Sequence, residues 1–306
     1  MTNNQKDINY LLIDGTSYLY RSYYSFPFLN NKIGIPSGAI YGVINMLNKL
    51  LFKYPKTQII IVFDSPFKTF RHKLFKFYKS NRPIMPIKLQ VQIKPLHQII
   101  KMMGFPIVLI PHFEADDIIG TLSCEANNNN KFTLISTNDK DLAQLVNTNI
   151  NILENKSNKI LGKKEIISKY GITPELIPDL LGLMGDKSDN IPGVPKIGKK
   201  IALFLLREFK SLKNIYKNIE KIPKCLFRGA KNITESLIKN ESLAFLSKNL
   251  ATIKTDILTN ISINKLKMSK PSIYRLSHLF KYYEFHNWSK LLEKGKWTIH
   301  ENYLKK

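Results

Sequence analysis

Acidic residues and cysteines are scarce in this chain of 306 residues. Only 23 Asp and Glu oppose 47 Lys and Arg, so the formal net charge is +24 at pH 7. The two cysteines lie far apart without a CxxC spacing, which argues against a zinc site and a disulfide framework. No run reaches the ~20 apolar residues of a membrane span, and the start MTNNQKDINYLLIDG lacks a signal-peptide pattern. We therefore expect a cytoplasmic protein that has reduced thiols and no membrane contact.

The excess of basic residues is typical of proteins that bind nucleic acid. A compositional explanation also stands, because the chain is rich in Ile and Asn, as an AT-biased genome would make it. Charge alone leaves both explanations open. With 43% hydrophobic residues, the chain can form one large domain or two smaller domains, each with a core.

Four short apolar runs predict buried strands, at residues 10–13, 59–63, 107–110 and 132–135. Helical patterns lie between them, at residues 90–103 and 115–126. Strands that alternate with helices predict an α/β fold with a central, mostly parallel twisted sheet flanked by helices. In such sheets, ligands bind beyond the carboxyl ends of the strands.

Aspartates gather at the ends of these strands and in the loops that follow. Of eleven aspartates, eight have such positions: Asp14, Asp64, Asp116, Asp117, Asp139, Asp141, Asp186 and Asp189. Carboxylates brought to one edge of a sheet repel one another unless cations lie between them. Glu114, Asp116 and Asp117 could instead cap a helix, although capping does not explain acids that follow several strands. We therefore predict a divalent metal cluster.

A second region begins with a helical pattern after Thr173 and Pro174, and a segment rich in Gly and Pro follows it. This segment resembles a helix-hairpin-helix. Its glycines would let backbone N–H groups approach a phosphate, and its lysines would add charge without base specificity. The predicted DNA-binding residues are Gly193, Val194, Lys196, Ile197, Gly198, Lys199 and Lys200. An ordinary loop with solvated lysines is the alternative.

Several long motifs in this order resemble the 5′-nuclease domain of bacterial DNA polymerase I, in the flap endonuclease superfamily. They include LLIDGTSYLYRSYYSFP, FEADDIIGTL, LISTNDKDLAQLV and LLGLMGDKSDNIPGVPKIGKKIA. The resemblance implies a PIN-like nuclease domain over residues 1–172, with a helical clamp around 70–95. A helix-hairpin-helix duplex-binding domain and C-terminal helices would fill residues 173–306. Asn138, Lys187 and the turn at residues 65–67 depart from the family pattern without removing an acid.

The resemblance also implies roles for individual residues. Asp14, Asp64, Glu114 and Asp116 match a first metal cluster, and Asp117, Asp139, Asp141, Asp186 and Asp189 match a second cluster or its outer shell. Tyr78, Lys79 and Arg82 match residues that grip the nucleotide beside the scissile phosphate, and Arg21 matches another phosphate contact. The implied cofactors are two or more Mg²⁺ or Mn²⁺ ions, with a monovalent cation at the hairpin.

The activity implied by the resemblance is a metal-dependent 5′-3′ exonuclease and 5′-flap endonuclease. It would hydrolyse the 5′ ends of DNA and of RNA primers in primer removal and repair. Its substrate would be duplex DNA with a 5′ flap, nick or RNA primer, and a separate DNA polymerase and ligase would act with it. We expect a monomer. Three alternatives remain open: a PIN-type ribonuclease, a catalytically decayed nuclease that binds branched DNA, and a nuclease-like paralogue with fewer acids.

Overall fold

The computed structural model describes residues 7–225, 227–257 and 261–295. Residues 296–306, at the end of the predicted duplex-binding domain, lie outside the described residues. The sheet contains β1 (Tyr10–Asp14), β2 (Gln58–Val62), β3 (Ile107–Val108), β4 (Thr133–Thr137), β5 (Ile150–Glu154) and β6 (Lys159–Leu161). Their order is β3-β2-β1-β4-β5-β6, and every neighbouring pair is parallel except β5 and β6. The predicted mostly parallel sheet is confirmed.

Helices cover both faces of this sheet, as expected for buried parallel strands. The helices are α1 (Gly15–Ser25), α2 (Gly38–Lys53), α3 (Phe70–Leu74), α4 (Ile87–Met102), α5 (Ala115–Asn128), α6 (Lys163–Tyr170), α7 (Ile177–Met184), α8 (Lys199–Phe209), α9 (Leu212–Lys217), α10 (Ala230–Lys239), α11 (Glu241–Ala251), α12 (Ile273–Tyr282) and α13 (His286–Glu293). Short 3₁₀ helices span Asp141–Leu145, Pro174–Leu176, Ile219–Lys224 and Ile263–Lys265. No helix of the described residues is long and apolar enough to cross a membrane.

The alternation of side chains along β1 divides the interior into two cores. Leu11 and Ile13 face a core to which α1, α2, α4, α12 and α13 contribute. Leu12 faces the opposite core, to which α5 to α11 contribute. Both cores therefore depend on β1, and this central strand also positions Asp14 at its carboxyl end.

The sequence patterns and the structure differ at several boundaries. The third strand pairs over only two residues, because the chain leaves the sheet after Val108. Strands β5 and β6 were not predicted, since Asn151 and the turn residues at 155–158 make the apolar pattern short. In the segment predicted as a clamp, α3 is followed by turns, by an irregular stretch up to Pro86 and then by α4.

The hairpin after α7 depends on two glycines with positive φ. Gly185 has φ +71° and Gly193 has φ +63°, conformations that side chains rarely adopt. A Cβ on Gly193 would lie 2.2 Å from the backbone nitrogen of Gly185. The backbone segments at Gly185 and Gly193 therefore approach too closely for a side chain at Gly193. The loop between them leads the chain from Asp186 to α8.

Candidate functional site

Asp14 lies buried at the carboxyl edge of the sheet. Its Oδ1 accepts the N–H of Ser17 at 2.9 Å, so the carboxylate also caps α1. Its Oδ2 accepts the hydroxyl of Thr137, from the end of β4, at 2.8 Å. The same Thr137 oxygen accepts the N–H of Asp139 at 2.9 Å. Thr137 therefore links the acids that follow two adjacent strands.

Asp64 joins the end of β2 to the start of α5. Its Oδ1 accepts the N–H of Ala115 at 2.7 Å, and its own N–H donates to Thr16 Oγ1 at 3.0 Å. Asp116 lies in the first turn of α5, where the helix N-terminus favours negative charge. The Asp64 charge raises the pKa of Asp116, after the larger effects of burial, Asp139 and Asp14. The fold thus brings these predicted ligands to one edge.

Burial and mutual repulsion raise the pKa of four aspartates. Burial, with the charges of Asp64 and Asp139, raises the pKa of Asp14 to about 7. The pKa of Asp116 is raised well above 3.8 by burial and then by Asp139 and Asp14. Burial and the charge of Asp189 also raise the pKa of Asp139, and burial with the neighbouring aspartates raises the pKa of Asp141 well above its usual value. The positive charge near this edge is therefore too small to balance its acids.

Divalent metal ions fit the chemistry of these donors. The side chains offer oxygen ligands, which Mg²⁺ and Mn²⁺ prefer, and a bound cation would oppose the rise in pKa. In the part of the chain that the structure describes, Asp141 Oδ1 is buried without a hydrogen-bond partner. As the described side chains stand, no three His, Cys, Asp or Glu are arranged to hold a metal ion. The donor set suits a metal, but binding requires side chains to move.

Glu114 and Asp189 are held by the segment that follows α3. The buried Tyr78 hydroxyl lies 3.1 Å from both Glu114 Oε2 and Asp189 Oδ2. Lys79 Nζ lies 3.1 Å from Glu114 Oε1, and Arg82 Nη2 lies 2.6 Å from Asp189 Oδ1. Burial opposes the charge of Lys79, but Glu114 and Asp189 outweigh it and raise the pKa of its ammonium. Five residues predicted from the sequence therefore meet here.

Asp186 has a cationic partner that the sequence did not reveal. Its Oδ2 lies 2.8 Å from Lys140 Nζ, and its Oδ1 accepts both the N–H and the hydroxyl of Ser188 at 2.8 and 2.7 Å. Burial opposes ionisation, but Lys140 and Ser188 outweigh it and lower the pKa of Asp186. Asp186 is therefore ionised and paired in this arrangement.

Asp117 is fully buried and is bound by Arg71. Nη1 and Nη2 of Arg71 donate to Asp117 Oδ2 and Oδ1 at 2.6 and 2.7 Å, a bidentate pair. The N–H of Lys254 also donates to Oδ1, at 2.9 Å. A metal ion could reach Asp117 only by displacing Arg71, so the geometry favours the outer-shell position over direct ligation.

Arg21 is half-buried on α1. It lines a cavity of about 390 Å³ together with Lys49 and Lys53. Among the described residues, its guanidinium forms no ion pair with the nine predicted acids. Arg21 is therefore not held by the acid contacts that fix Lys79 and Arg82.

The predicted hairpin residues fall into a buried group and an exposed group. Gly193, Val194 and Ile197 are buried. Their N–H groups donate within the protein, to Ser247 Oγ, the Leu183 carbonyl and the Val194 carbonyl at 2.9, 2.8 and 3.1 Å. The prediction that loop glycines offer N–H groups to phosphate therefore fails at Gly193, because that donor is already used.

The exposed group lies at the start of α8. Lys196, Gly198, Lys199 and Lys200 are all exposed, and Gly198 is the N-cap residue of α8. The first N–H groups of a helix have no partner within it, so this surface presents donors and lysines together. A Cβ on Gly198 would meet nothing within 4 Å, which leaves room for another molecule.

Sequence reasoning missed three side chains that organise the site. Arg71 stands within a basic segment, Lys140 between two aspartates and Gln144 in a short 3₁₀ helix. Gln144 Nε2 donates to the carbonyls of Asp141 and Ala251 at 2.9 and 3.0 Å. Arg71 was distinguishable only as an arginine among lysines, and the other two carried no signal.

Comparisons with known proteins agree with this architecture. Residues 9–171 match the 5′-3′ exonuclease N-terminal resolvase-like domain, and residues 172–273 match the 5′-3′ exonuclease C-terminal SAM fold. A 5′-3′ exonuclease of Buchnera aphidicola subsp. Baizongia pistaciae is 59% identical over 96% of this chain and 97% of its own length. DNA polymerase I of Pseudomonas aeruginosa is 44% identical over 91% of this chain and 31% of its own length.

A solved structure shares the fold at low sequence identity. Bacteriophage T5 flap endonuclease, in a pseudo-enzyme–product complex with DNA and metal ions, has a TM-score of 0.65 and 22% identity. The match covers 79% of this chain and 88% of that one. The two matched domains, the relatives and the carboxylate edge together show that this chain is a nuclease of the 5′-3′ exonuclease family.

Proposed function

We propose that this chain hydrolyses phosphodiester bonds near the junction between duplex DNA and a displaced 5′ end, by a divalent-metal mechanism. One observation carries the proposal: four aspartates with raised pKa values, one buried and three partly buried, lie beside acids that hold Lys79 and Arg82. This places unbalanced negative charge, which attracts metal ions, next to cations, which attract phosphate.

The residues that would hold the ions are the predicted ligands. Asp14, Asp64, Glu114 and Asp116 would serve a first Mg²⁺ or Mn²⁺, and Asp139, Asp141, Asp186 and Asp189 a second, with Asp117 in the outer shell. When bound, divalent ions supply a water of lowered pKa and neutralise charge on the phosphoryl oxygens. Thr137 and Ser17 orient Asp14, because both donate to its carboxylate.

Lys79 and Arg82 would bind the phosphate beside the cleaved bond and stabilise charge that develops there. Both already lie next to acids of the site, at 3.1 and 2.6 Å. Tyr78 would position the two acids that hold them, since its buried hydroxyl contacts both carboxylates. Arg21, on α1, would contact another phosphate of the same substrate.

The hairpin would hold the duplex away from the cleaved bond. Lys196, Lys199 and Lys200 are exposed around the start of α8, and they can neutralise phosphates without reading bases. Gly193, Val194 and Ile197 would shape this loop, and a monovalent cation at the hairpin belongs to the same proposal. Binding at two places would make cleavage depend on the structure of the DNA.

The relatives support the substrates and partners that we propose. The T5 structure contains DNA and metal ions, and the Pseudomonas relative is a DNA polymerase I. We propose that this chain acts as a cytoplasmic monomer on a 5′ flap, a nick or an RNA primer during primer removal and repair. A separate polymerase and a ligase would then fill and seal the gap.

The proposal is tested with a labelled 5′-flap duplex and the full chain, in Mg²⁺ or in EDTA, beside Asp116→Asn. We expect metal-dependent cutting near the junction and a loss of more than about a hundredfold in the variant, because even outer partners of metal ligands contribute ~10–100-fold. Duplex affinity should change less than about threefold, since the change removes a charge that repels phosphate. Tight junction binding without cutting by the unmodified protein would support a decayed nuclease instead.

A further inference from the structure

The carboxyl end of α11 is held by side chains from three separate parts of the nuclease domain. Arg71 donates to the carbonyls of Leu250 and Thr252 at 2.8 and 3.0 Å. Gln144 donates to the Ala251 carbonyl and accepts the Ile253 N–H, each at 3.0 Å. Asp117 accepts the next free N–H, that of Lys254, at 2.9 Å. The chain at residues 250–254 therefore has little freedom to move relative to the acid edge, the carboxyl edge of the sheet where the predicted metal ligands lie.

Arg71 uses all five of its N–H donors in this junction. Besides the two carbonyls, it donates twice to Asp117 and once to Glu114 Oε2, at 3.2 Å. Its exposed fraction is 2%, so water does not compete for these donors. One rigid, planar group thus fixes Glu114, Asp117 and the end of α11 relative to one another.

The same helix holds the hairpin from its other side. Ser247 of α11 accepts the N–H of Gly193 in the hairpin loop at 2.9 Å. Lys248 Nζ lies 2.6 Å from Asp179 of α7, the first helix of the hairpin. A Cβ added to Gly182 of α7 would lie 2.9 Å from the Lys248 side chain. Helices α7 and α11 therefore pack in close contact at this point. Helix α11 therefore touches the hairpin and the acid edge within two turns.

We propose that Arg71 is a positioning residue that couples duplex binding at the hairpin to the orientation of Glu114. A duplex held by the start of α8 would restrain the hairpin, and α11 would pass that restraint to the carbonyls of Leu250 and Thr252. Arg71 joins those carbonyls to Glu114, the N-cap residue of α5. The inference rests on the proposed function, because it concerns the same cleavage reaction.

The coupling predicts that duplex far from the cleaved bond raises turnover as well as affinity. Two flap substrates test this, one with a duplex long enough to reach the hairpin and one truncated before it. We define the length gain as kcat on the long substrate divided by kcat on the short one, in saturating Mg²⁺. For a coupling of ordinary size, Arg71→Lys should lower the length gain at least about fivefold. KM for the long substrate should change less than about twofold, because Arg71 contacts no DNA in the proposal.

Arg71→Lys keeps the charge and loses the planar fork that reaches two carbonyls and two acids. Arg275→Lys, on the exposed face of α12, makes the same change away from the junction and should keep the full length gain. If circular dichroism shows that Arg71→Lys is unfolded, Gln144→Met is the second variant. It removes the hydrogen bonds of Gln144 to Ala251 and Ile253 at similar side-chain volume, and it should also lower the length gain. A merely structural role would lower kcat on both substrates equally and leave their ratio unchanged.

The outcomes separate this inference from the proposed function. If the unmodified protein cuts neither substrate in Mg²⁺ or Mn²⁺, the proposed function fails and the coupling fails with it. If it cuts both at the same rate, or if the folded Arg71 and Gln144 variants retain its length gain, the nuclease stands and the coupling is overturned.

Discussion

Two neighbouring groups of acids share the site and differ in what balances their charge. The uncompensated acids are Asp14, Asp64, Asp116, Asp139 and Asp141, and among the described residues none forms an ion pair. The cation-paired acids are Glu114, Asp117, Asp186 and Asp189, which bind Arg71, Lys79, Arg82 or Lys140. Carboxylates of one site therefore differ in whether a cationic side chain binds them.

The two groups of acids should respond differently to an added cation such as a metal ion. In the uncompensated group, burial and repulsion raise the pKa of Asp14 and of Asp116, so a bound metal ion would stabilise the fold. In the cation-paired group, Lys140 and Ser188 lower the pKa of Asp186 against burial, so its charge is already balanced. In the proposed function the first group would bind metal, whereas the second group already binds cationic side chains of the surrounding elements.

The largest expected effect contrasts Asp117 with its neighbour Asp116. Asp117→Asn leaves the buried Arg71 guanidinium without its bidentate partner, so we expect the free energy of unfolding to fall by about 3–5 kcal/mol. Asp116→Asn removes an uncompensated charge and should leave the metal-free protein at least as stable. Urea unfolding of both variants in EDTA measures the difference. Equal losses would show that the two acids do not belong to different groups.

The second prediction concerns pH and metal. The pKa of Asp14 is about 7 in the folded chain against 3.8 ordinarily, so its stabilising protonation is complete below 3.8 and is lost as pH rises through 7. At 1.36 kcal/mol per unit, the metal-free protein should lose on the order of 2–4 kcal/mol between about pH 4 and about pH 8. Mg²⁺ should recover most of this loss at about pH 8 and little at about pH 5, where protons compete.

Thermal or urea unfolding with Mg²⁺ or EDTA checks this prediction. Asp14→Asn is the matched variant, because an amide can still accept from Ser17 and donate to Thr137. Its metal-free stability should vary less with pH than that of the unmodified protein. A pH profile that is the same in both proteins would mean that Asp14 is not among the acids that carry the repulsion.

Much of the fold could be predicted because it depends on short-range patterns. The apolar runs at β1, β2 and β4 are buried on both faces, so nearly every residue carries the signal. The two-residue β3 and the antiparallel β6 were harder, because their pairing depends on neighbours distant in sequence. Pro95 lies inside α4, so a residue that usually ends helices gave no boundary there.

The site could be predicted only as a set of residue types. Eight aspartates after strands indicate a shared edge, but sequence position does not say which of them has a cationic partner. Asp116 and Asp117 are adjacent in the first turn of α5 and so face different directions. Arg71, which distinguishes them, is 46 residues away from Asp117 in sequence. Likewise, Ser247 is 54 residues from the Gly193 N–H that it occupies.

A smaller effect tests how Tyr78 holds two acids of the cation-paired group. Tyr78→Phe removes the hydroxyl that lies between Glu114 and Asp189, and a hydrogen bond to a charged group contributes ~1.5–3 kcal/mol. We expect kcat to fall by about tenfold or more with little change in KM, because the proposed role is to position the acids. Tyr274→Phe, at an exposed tyrosine of α12, is the control in the same flap assay. A higher KM at unchanged kcat would make Tyr78 a substrate contact instead.

The smallest expected effect concerns the exposed lysines of the hairpin, which would bind the duplex away from the acids. Lys199→Ala and Lys200→Ala together should weaken duplex affinity to a similar extent for all sequences and lower the slope of log K against log salt by about one for each phosphate that the variant no longer neutralises. Fluorescence anisotropy in EDTA over a range of salt concentrations measures this slope without cleavage. Lys231→Ala with Lys239→Ala, on α10, removes equal charge elsewhere and should lower the slope less. Equal decreases in the two double variants would mean that the lysines at α8 act through net charge, and that the hairpin itself does not bind phosphate.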